Sequence, residues 1–209
     1  MSTHVSECTG RSGVPPLPFE VDVYQLSVVL LSVMSAVWPT PAPPVSERWR
    51  AWPVARVFPD TVTGVSPSGA RVTYVLAGVA PEAPCRVAFQ PAAVRPGCRV
   101  ALRATYADST QTFVTTVGIA VLDGPGRGPW GAGRPATVRP VAFPGGPAER
   151  FGPRQYFTGA LIGSGERYLV ATAAGYADGR SYQPGDRVTR RLRDAARQVA
   201  TTLHRALTR

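Results

Sequence analysis

Proline and glycine interrupt this chain so often that long helices are excluded from most of it. The 209 residues include 22 Pro and 21 Gly, whereas charged residues make up only 17%. Proline removes a backbone N–H and clashes with the preceding helical turn, and glycine is costly inside a helix. These features rule out a coiled coil, a helical bundle and a polyelectrolyte tail. Because 44% of the residues are hydrophobic, one folded core can still form among Pro/Gly-rich connections.

Four regions of different composition follow one another along the chain. Residues 1–22 are rich in Gly, Ser, Thr and Pro, which predicts a disordered tail. The segment Val23–Trp38 is apolar and uncharged, and its length is at the short limit for a membrane-spanning helix. Because this length also fits a secretory signal, we expect an anchor or signal-like segment there. Residues 39–53 are predicted to be a proline-rich stalk, and residues 54–209 the folded α+β domain.

Two other interpretations of the apolar segment stay open: a buried core helix, or a misassigned start of the chain. The residues before the segment include Glu20 and Asp22, whereas the corresponding region of a signal peptide is basic. Trp49 and Trp52 follow the segment with arginines beside them. Such residues suit either a membrane interface or the beginning of the core.

Short runs of alternating apolar and polar residues predict a mostly antiparallel sheet in the folded domain. The clearest hairpin joins Arg99–Tyr106 to Thr112–Leu122 through a turn at Ala107–Gln111. Further strands are predicted at Arg71–Leu76, Thr137–Phe143 and Arg167–Tyr176, and a short helix at Ala148–Leu161.

The last element is predicted to be a helix that begins after Asp186, its N-cap, and ends near Leu207. Its apolar residues recur every three or four positions and therefore share one face: Val188, Leu192, Ala195, Val199 and Leu203. Arg190, Arg193 and Arg197 fall on other faces, where we expect them in water. The predicted fold class is α+β: a small mostly antiparallel sheet with a covering C-terminal helix, preceded by the N-terminal apolar segment.

The positive charge of the chain is unevenly distributed. All 23 basic residues are arginine, which together with the abundance of Ala, Val, Pro and Gly indicates a GC-rich genome. Half of the net charge of +10 lies in residues 186–209, where seven Arg stand against two Asp. A cytosolic nucleic-acid-binding protein that uses this Arg-rich helix is therefore the alternative function. Because the remaining charge is scattered, nucleic acid is the less favoured partner.

Residue types that carry catalysis are scarce. The two histidines are His4, in the predicted tail, and His204, near the end of the last helix, where we expect it to face solvent. The sequence has no zinc, calcium or phosphate-loop motif. We therefore predict a non-enzymatic protein without catalytic, cofactor-binding or metal-binding residues.

Cys85 and Cys98 flank a loop that contains two prolines and a glycine. In an oxidising compartment, a disulfide across this loop would stabilise the fold by about 3 kcal/mol. Two unpaired thiols in a cytosolic protein are the alternative. Cys8 is left over as a free cysteine.

Two similar tetrads, Thr105–Asp108 and Gly175–Asp178, each follow a run of strand-forming residues and lead into a turn. Their shared side chains, with a following arginine, could line a common binding edge: Tyr106, Asp108, Tyr176, Asp178 and Arg180. In that case Arg103, Arg167 and Arg180 could meet an anionic ligand. The alternative is repeated turn chemistry, in which an Asp carboxylate accepts a backbone hydrogen bond two residues on.

The segments GCRVALRATYADSTQTFVTTVGIAVL and RYLVATAAGYADGR resemble uncharacterised exported or membrane-associated proteins of actinobacteria, and the resemblance covers roughly residues 52–205. It implies paired cysteines and an extracytoplasmic location, and it assigns no activity.

We therefore expect a non-enzymatic extracytoplasmic domain, either secreted or held by a single-pass anchor at Val23–Trp38, that binds an unknown protein or small ligand. Arg48, Arg50 and Arg56 after the apolar segment favour the cytoplasm as the alternative location, because positive residues flank membrane segments on the inside.

Overall fold

The computed structural model describes residues 48–125, 137–163, 167–181 and 190–209. The predicted tail, the segment Val23–Trp38 and the first part of the predicted stalk lie outside these residues, as do Cys8 and Asp186. None of the helices in the described ranges combines the length and the apolar character that crossing a bilayer requires.

The described residues form an antiparallel sheet with a C-terminal helix packed against it, as the predicted α+β class requires. The strands are β1 (Thr61–Val65), β2 (Arg71–Ala83), β3 (Cys98–Asp108), β4 (Phe113–Leu122), β5 (Tyr156–Thr158), β6 (Leu161–Ile162) and β7 (Tyr168–Tyr176). The α-helices of the described residues are α1 (Val54–Val57), α2 (Cys85–Ala88) and α3 (Arg190–Thr208). The strand order is β1-β2-β3-β4-β7-β5, and β6 also pairs with β7.

The predicted hairpin is present as β3 and β4, in which Ala107 pairs with Val114 and Thr105 with Thr116. The predicted strand at Arg71–Leu76 is also present but continues to Ala83, because two register shifts let β2 follow β3 over a longer distance. These irregularities are β-bulges, which bend the strand and increase its twist.

Thr137–Phe143 is not a strand, contrary to the prediction. Apart from a single bridge between Val138 and Phe89, it runs across one face of the sheet as an irregular strap. Glycines on the sheet make room for it, since a Cβ at Gly118 would overlap Val138 and a Cβ at Gly78 would overlap Phe143. The apolar residues that suggested a strand therefore pack onto the sheet face.

The prediction of a helix at Ala148–Leu161 is also wrong. This segment contains turns, then the short strand β5, and it ends where β6 begins. Gly152 and Pro153 both disfavour a helix. Gly159 lies directly against the backbone carbonyl of Thr172, where a Cβ would overlap it. The close approach to β7 therefore explains why glycine stands there.

Helix α3 covers one face of the sheet. Leu192, Ala195, Val199 and Leu203 are buried as predicted, whereas Val188 lies outside the described residues. Arg190, Arg193 and Arg197 are exposed, also as predicted.

His204 is buried, although the sequence suggested that it faces solvent. It follows Leu203 and stands one turn after Ala200 and one turn before the buried Leu207. It therefore extends the apolar face of the helix, because residues three and four positions apart share a side.

The folded body includes residues from the segment predicted to be a stalk. Trp49 is buried in the cluster that contains Tyr106, Val117 and Leu203. Trp52 packs against the same cluster, with its ring centroid 6.2 Å from that of Tyr168. The burial of Trp49 agrees with the interpretation that this residue begins the core.

Cys85 and Cys98 form a disulfide, as predicted, with their Cα atoms 6.2 Å apart. Cys85 is the first residue of α2 and Cys98 the first of β3. The bond therefore ties the short helix α2 to the sheet. Cys85 belongs to a second buried cluster, which includes Phe89, Val138 and Leu169.

Candidate functional site

The two Tyr/Asp tetrads lie at the same end of the sheet because of the strand directions. Strands β3 and β7 are both antiparallel to β4, which lies between them. Their last residues therefore flank the first residue of β4. Phe113 of β4 pairs with Tyr176 of β7, and their ring centroids are 5.4 Å apart. Asp108 ends β3 beside them.

Asp108 is only 2% exposed, and its carboxylate organises this end of the sheet. Its Oδ1 accepts the backbone N–H groups of Thr112 at 2.8 Å and Phe113 at 2.9 Å. Its Oδ2 accepts the Thr110 hydroxyl at 2.5 Å and Nη2 of Arg191 at 3.1 Å. A buried carboxylate needs such partners because its desolvation is costly.

Arg191 links α3 to the sheet. Besides its ion pair with Asp108, its Cζ lies 4.4 Å from the centroid of the Phe113 ring. Its side chain keeps 39% of its surface exposed. A guanidinium fixed by a carboxylate and an aromatic face retains further N–H donors for another acceptor.

The second tetrad is more exposed. The backbone N–H of Arg180 donates to Oδ1 of Asp178 at 3.1 Å, and its Nε lies 3.6 Å from Oδ2. Cζ of Arg180 lies 3.3 Å from the centroid of the Tyr176 ring. Asp178 therefore shows the turn chemistry that was the alternative for these motifs, while Tyr176 and Arg180 add a stacked pair at the surface.

Tyr106 does not contribute a surface at this end. Its side chain is fully buried, and its hydroxyl donates to the backbone carbonyl of Pro59 at 3.0 Å. Burial raises the pKa of Tyr106 strongly, and the charge of Asp60 adds to the increase. This residue therefore belongs to the core.

A cleft of about 360 Å³ opens beside Arg191, between the β1–β2 turn and the β3–β4 turn. Its lining consists of Ser66, Pro67, Ser68, Ala70, Arg71, Val72, Ser109, Thr110 and Arg191. Hydroxyl groups and two guanidinium groups thus line the cleft, and none of these lining residues is acidic. Guanidinium and hydroxyl donors are the groups that bind carboxylate, sulfate and phosphate oxygens.

The turns around the cleft are held in place by their own hydrogen bonds. The hydroxyls of Ser66 and Ser68 lie 2.9 Å apart, and the Ala70 N–H donates to the Ser66 hydroxyl at 3.1 Å. Tyr74, the cross-strand partner of Asp108, lies under this end of the sheet. The pKa of Tyr74 is raised to about 12, mainly by burial and also by the charge of Asp108, while Arg191 partly offsets the increase.

The other two arginines suggested by the sequence lie elsewhere. Arg103 is in the middle of β3, where burial lowers the pKa of its guanidinium and its Nε has no hydrogen-bond partner among the described residues. Arg167 precedes β7, and its Nη1 donates to the carbonyl of Asp123 at 2.5 Å, at the opposite end of that strand. Only Arg180 of the three lies beside Tyr176.

Sequence reasoning missed Arg191 and Arg71. Helical periodicity gave Arg191 no role, because it is not one of the apolar residues that recur along the buried face of the helix. Arg71 begins β2, and no local pattern relates it to the C-terminal helix. Only the tertiary structure brings the two arginines to one cleft.

In the described ranges, no three His, Cys, Asp or Glu side chains are grouped so that they could hold a metal ion. Comparisons of the chain with protein families, curated proteins and solved structures gave no match.

Proposed function

We propose that this chain is a non-enzymatic binding domain that works outside the cytoplasm, secreted or membrane-anchored, and that its ligand carries an anionic group. The observation that carries the proposal is the cleft at the end of the sheet, where Arg71 and Arg191 stand among hydroxyl groups. Arg191 is held at the wall of this cleft by Asp108 before any ligand arrives. Such preorganisation reduces the entropy lost on binding.

Asp108 supports binding over catalysis. It is the carboxylate paired with the cleft arginine, and it accepts four hydrogen bonds, from Thr110, Thr112, Phe113 and Arg191. A general base needs a free lone pair within reach of the substrate proton. The buried carboxylate is committed to positioning Arg191 and the β3–β4 turn.

The extracytoplasmic location is supported by the disulfide between Cys85 and Cys98. Disulfides persist in oxidising compartments, whereas cytosolic thiols are kept reduced. The location is tested by labelling intact cells and lysates with a maleimide that does not cross membranes. We expect Cys85 and Cys98 to be labelled only after reduction, and a C-terminal reporter to be active outside the cytoplasm. A reporter active only inside, with both thiols free, would contradict the proposed location.

The ligand class is tested by titrating the full chain with inorganic phosphate, sulfate and citrate at low salt, followed by NMR. We expect amide shifts at Arg71, Ser109 and Arg191, and about tenfold weaker binding in Arg71→Gln and Arg191→Lys. Arg193→Gln is the matched control, because Arg193 is an exposed arginine of the same helix that does not line the cleft. Equal losses in all three variants would indicate general charge attraction and refute a specific site.

The alternative, binding of nucleic acid, is favoured by one observation. Arg190, Arg193, Arg197 and Arg205 are all exposed on α3, the helix whose apolar residues face the sheet. Removing one arginine that pairs with a phosphate should reduce the salt dependence of binding by about one ion. DNA or RNA affinity that falls steeply with salt and weakens in Arg193→Gln would favour this alternative. It would then be preferred to binding of a small anion in the cleft between Arg71 and Arg191, which we call the anion cleft.

A further inference from the structure

We propose that a second cleft, beside the outer edge of β2, binds an extended acidic peptide by strand addition. This groove is lined by Trp49, Arg50, Trp52, Val54, Val57, Phe58, Val79, Ala80, Pro81, Glu82 and Leu102, and its volume is about 360 Å³. It lies at the opposite end of β2 from the anion cleft, so the two proposals are independent.

The groove exists because β1 covers only the first part of β2. The last pair in the register of the two strands is Thr61 with Val75, and the Leu76 N–H still donates to the Asp60 carbonyl at 2.9 Å. Before Asp60 the chain leaves the sheet and forms α1. No strand in the described residues pairs with the remainder of β2 on this side.

The direction of the backbone groups of β2 follows from its pairing with β3. The Ser109 N–H donates to the Thr73 carbonyl, so odd-numbered residues of β3 direct their backbone groups towards β2. Gly78 and Ala80 pair with Thr105 and Arg103 and therefore face β3. Val79 lies between these two residues, so its N–H and C=O point away from β3, towards the groove.

This edge offers hydrogen bonds of a defined register. Val79 presents one donor and one acceptor, whereas Pro81, two residues on, has only its carbonyl. Proline and the bulge after Ala80 limit further pairing, which protects the edge from unrestricted sheet growth. A short extended peptide can satisfy the open groups while its side chains alternate towards and away from the groove.

The groove walls define the chemistry of the peptide. Val79 is 38% exposed, and together with Trp52 and Val54 it provides apolar surface for an aliphatic side chain. Arg50 stacks over Trp49 with 5.1 Å between Cζ and the ring centroid, and Arg56 stacks over Trp52 at 4.3 Å. Arg50 and Glu82 are the charged residues that line the groove, and Arg56, stacked on the lining residue Trp52, adds a second guanidinium beside it. This excess of positive charge favours an acidic peptide over a basic one.

The test uses a displayed library of short linear peptides selected against the full chain. We expect the recovered peptides to alternate apolar residues and to contain Asp or Glu, and a synthetic copy to shift the NMR signals of Trp52, Val79 and Glu82. Val79→Pro removes the outward N–H but leaves the β3 side of β2 paired, and Val79→Ala is the matched control that keeps the N–H. Binding should weaken at least about tenfold in Val79→Pro and less in Val79→Ala.

A second measurement separates strand addition from simple apolar contact. The synthetic peptide is N-methylated at alternate residues, which removes backbone donors and preserves side chains. Strand addition predicts loss of binding in one of the two N-methylation patterns. Equal binding of both methylated peptides, recovery of no peptide, or unchanged affinity in Val79→Pro would each overturn the proposal. Dimerisation of the chain that Val79→Pro abolishes would assign the edge to a second copy and overturn it as well.

Discussion

Gln198 binds both backbone groups of Val65 with its side-chain amide. Nε2 donates to the Val65 carbonyl at 2.6 Å, and Oε1 accepts the Val65 N–H at 2.9 Å. Val65 is the last residue of the edge strand β1, and its backbone groups point away from β2. The amide of a helical side chain thus takes the place that the peptide group of a neighbouring strand would occupy, and it blocks part of this edge.

Replacing Gln198 by Ala should lower the free energy of unfolding by about 1–2 kcal/mol, since two hydrogen bonds are removed at a partly exposed site. Gly64→Ala should also destabilise the protein, because a Cβ at that position would overlap the Gln198 amide. In the double variant the overlap disappears, so the two effects should be less than additive. Urea unfolding of the four proteins measures the coupling, and strict additivity would contradict the contact.

Cys85→Ser, or reduction of the native protein, should lower stability by about 3 kcal/mol, because the crosslink no longer restricts the unfolded chain. The bond also ties α2 to β3, so hydrogen exchange should increase first in Cys85–Ala88. The matched control is Cys8→Ser, which removes the third cysteine and leaves the disulfide intact. If Cys8→Ser and Cys85→Ser have equal effects on the unfolding midpoint, the structural role of the bond is refuted.

Stability should fall when the pH rises above about 10, the ordinary pKa of a tyrosine in an unfolded chain. The folded state raises the pKa of Tyr74 to about 12, with burial as the main cause. The folded protein therefore holds this proton more tightly than the unfolded chain does. The stabilisation is fully present below about pH 10 and is lost as the pH rises towards the folded pKa.

This pH dependence is measured as the urea midpoint between about pH 9 and pH 12. Tyr106 contributes in the same direction, because burial also raises its pKa. Tyr74→Phe should reduce the slope, and Tyr74→Phe combined with Tyr106→Phe should reduce it further. A slope that is unchanged in the double variant would show that other groups control alkaline unfolding.

The hairpin of β3 and β4 could be predicted from the sequence because its alternation and its turn agree. The strap at Thr137–Phe143 could not, since its alternation reflects contacts with Gly78 and Gly118, which are far away in the sequence. β1 was missed for a related reason: it is only five residues long and includes Gly64. Local patterns indicate which side of a segment is apolar, but they do not identify the element it packs on.

In the candidate site, too, the local features could be predicted from the sequence and the long-range contacts could not. The two tetrads indicated that Asp108 and Asp178 each stand where a strand gives way to a turn, and the strand order brings both turns to one end of the sheet, on either side of β4. The sequence could not show that Asp108 is buried and paired with Arg191, because 83 positions separate the two residues. The site depends on this long-range pair, which only the packing of α3 onto the sheet creates.

Breaking this pair should be among the most destabilising polar substitutions in the chain. Asp108→Ala leaves Arg191 and the N–H groups of Thr112 and Phe113 without their acceptor, and we expect stability to fall by about 3–5 kcal/mol. Arg191→Ala leaves the buried carboxylate with three neutral donors and without its counter-ion, so this variant should also be clearly destabilised. Asp178→Ala is the matched control, since this carboxylate lies in an exposed turn, and its effect should be within about 1 kcal/mol. If Asp108→Ala and Asp178→Ala unfold at the same urea concentration, Asp108 does not organise this end of the sheet.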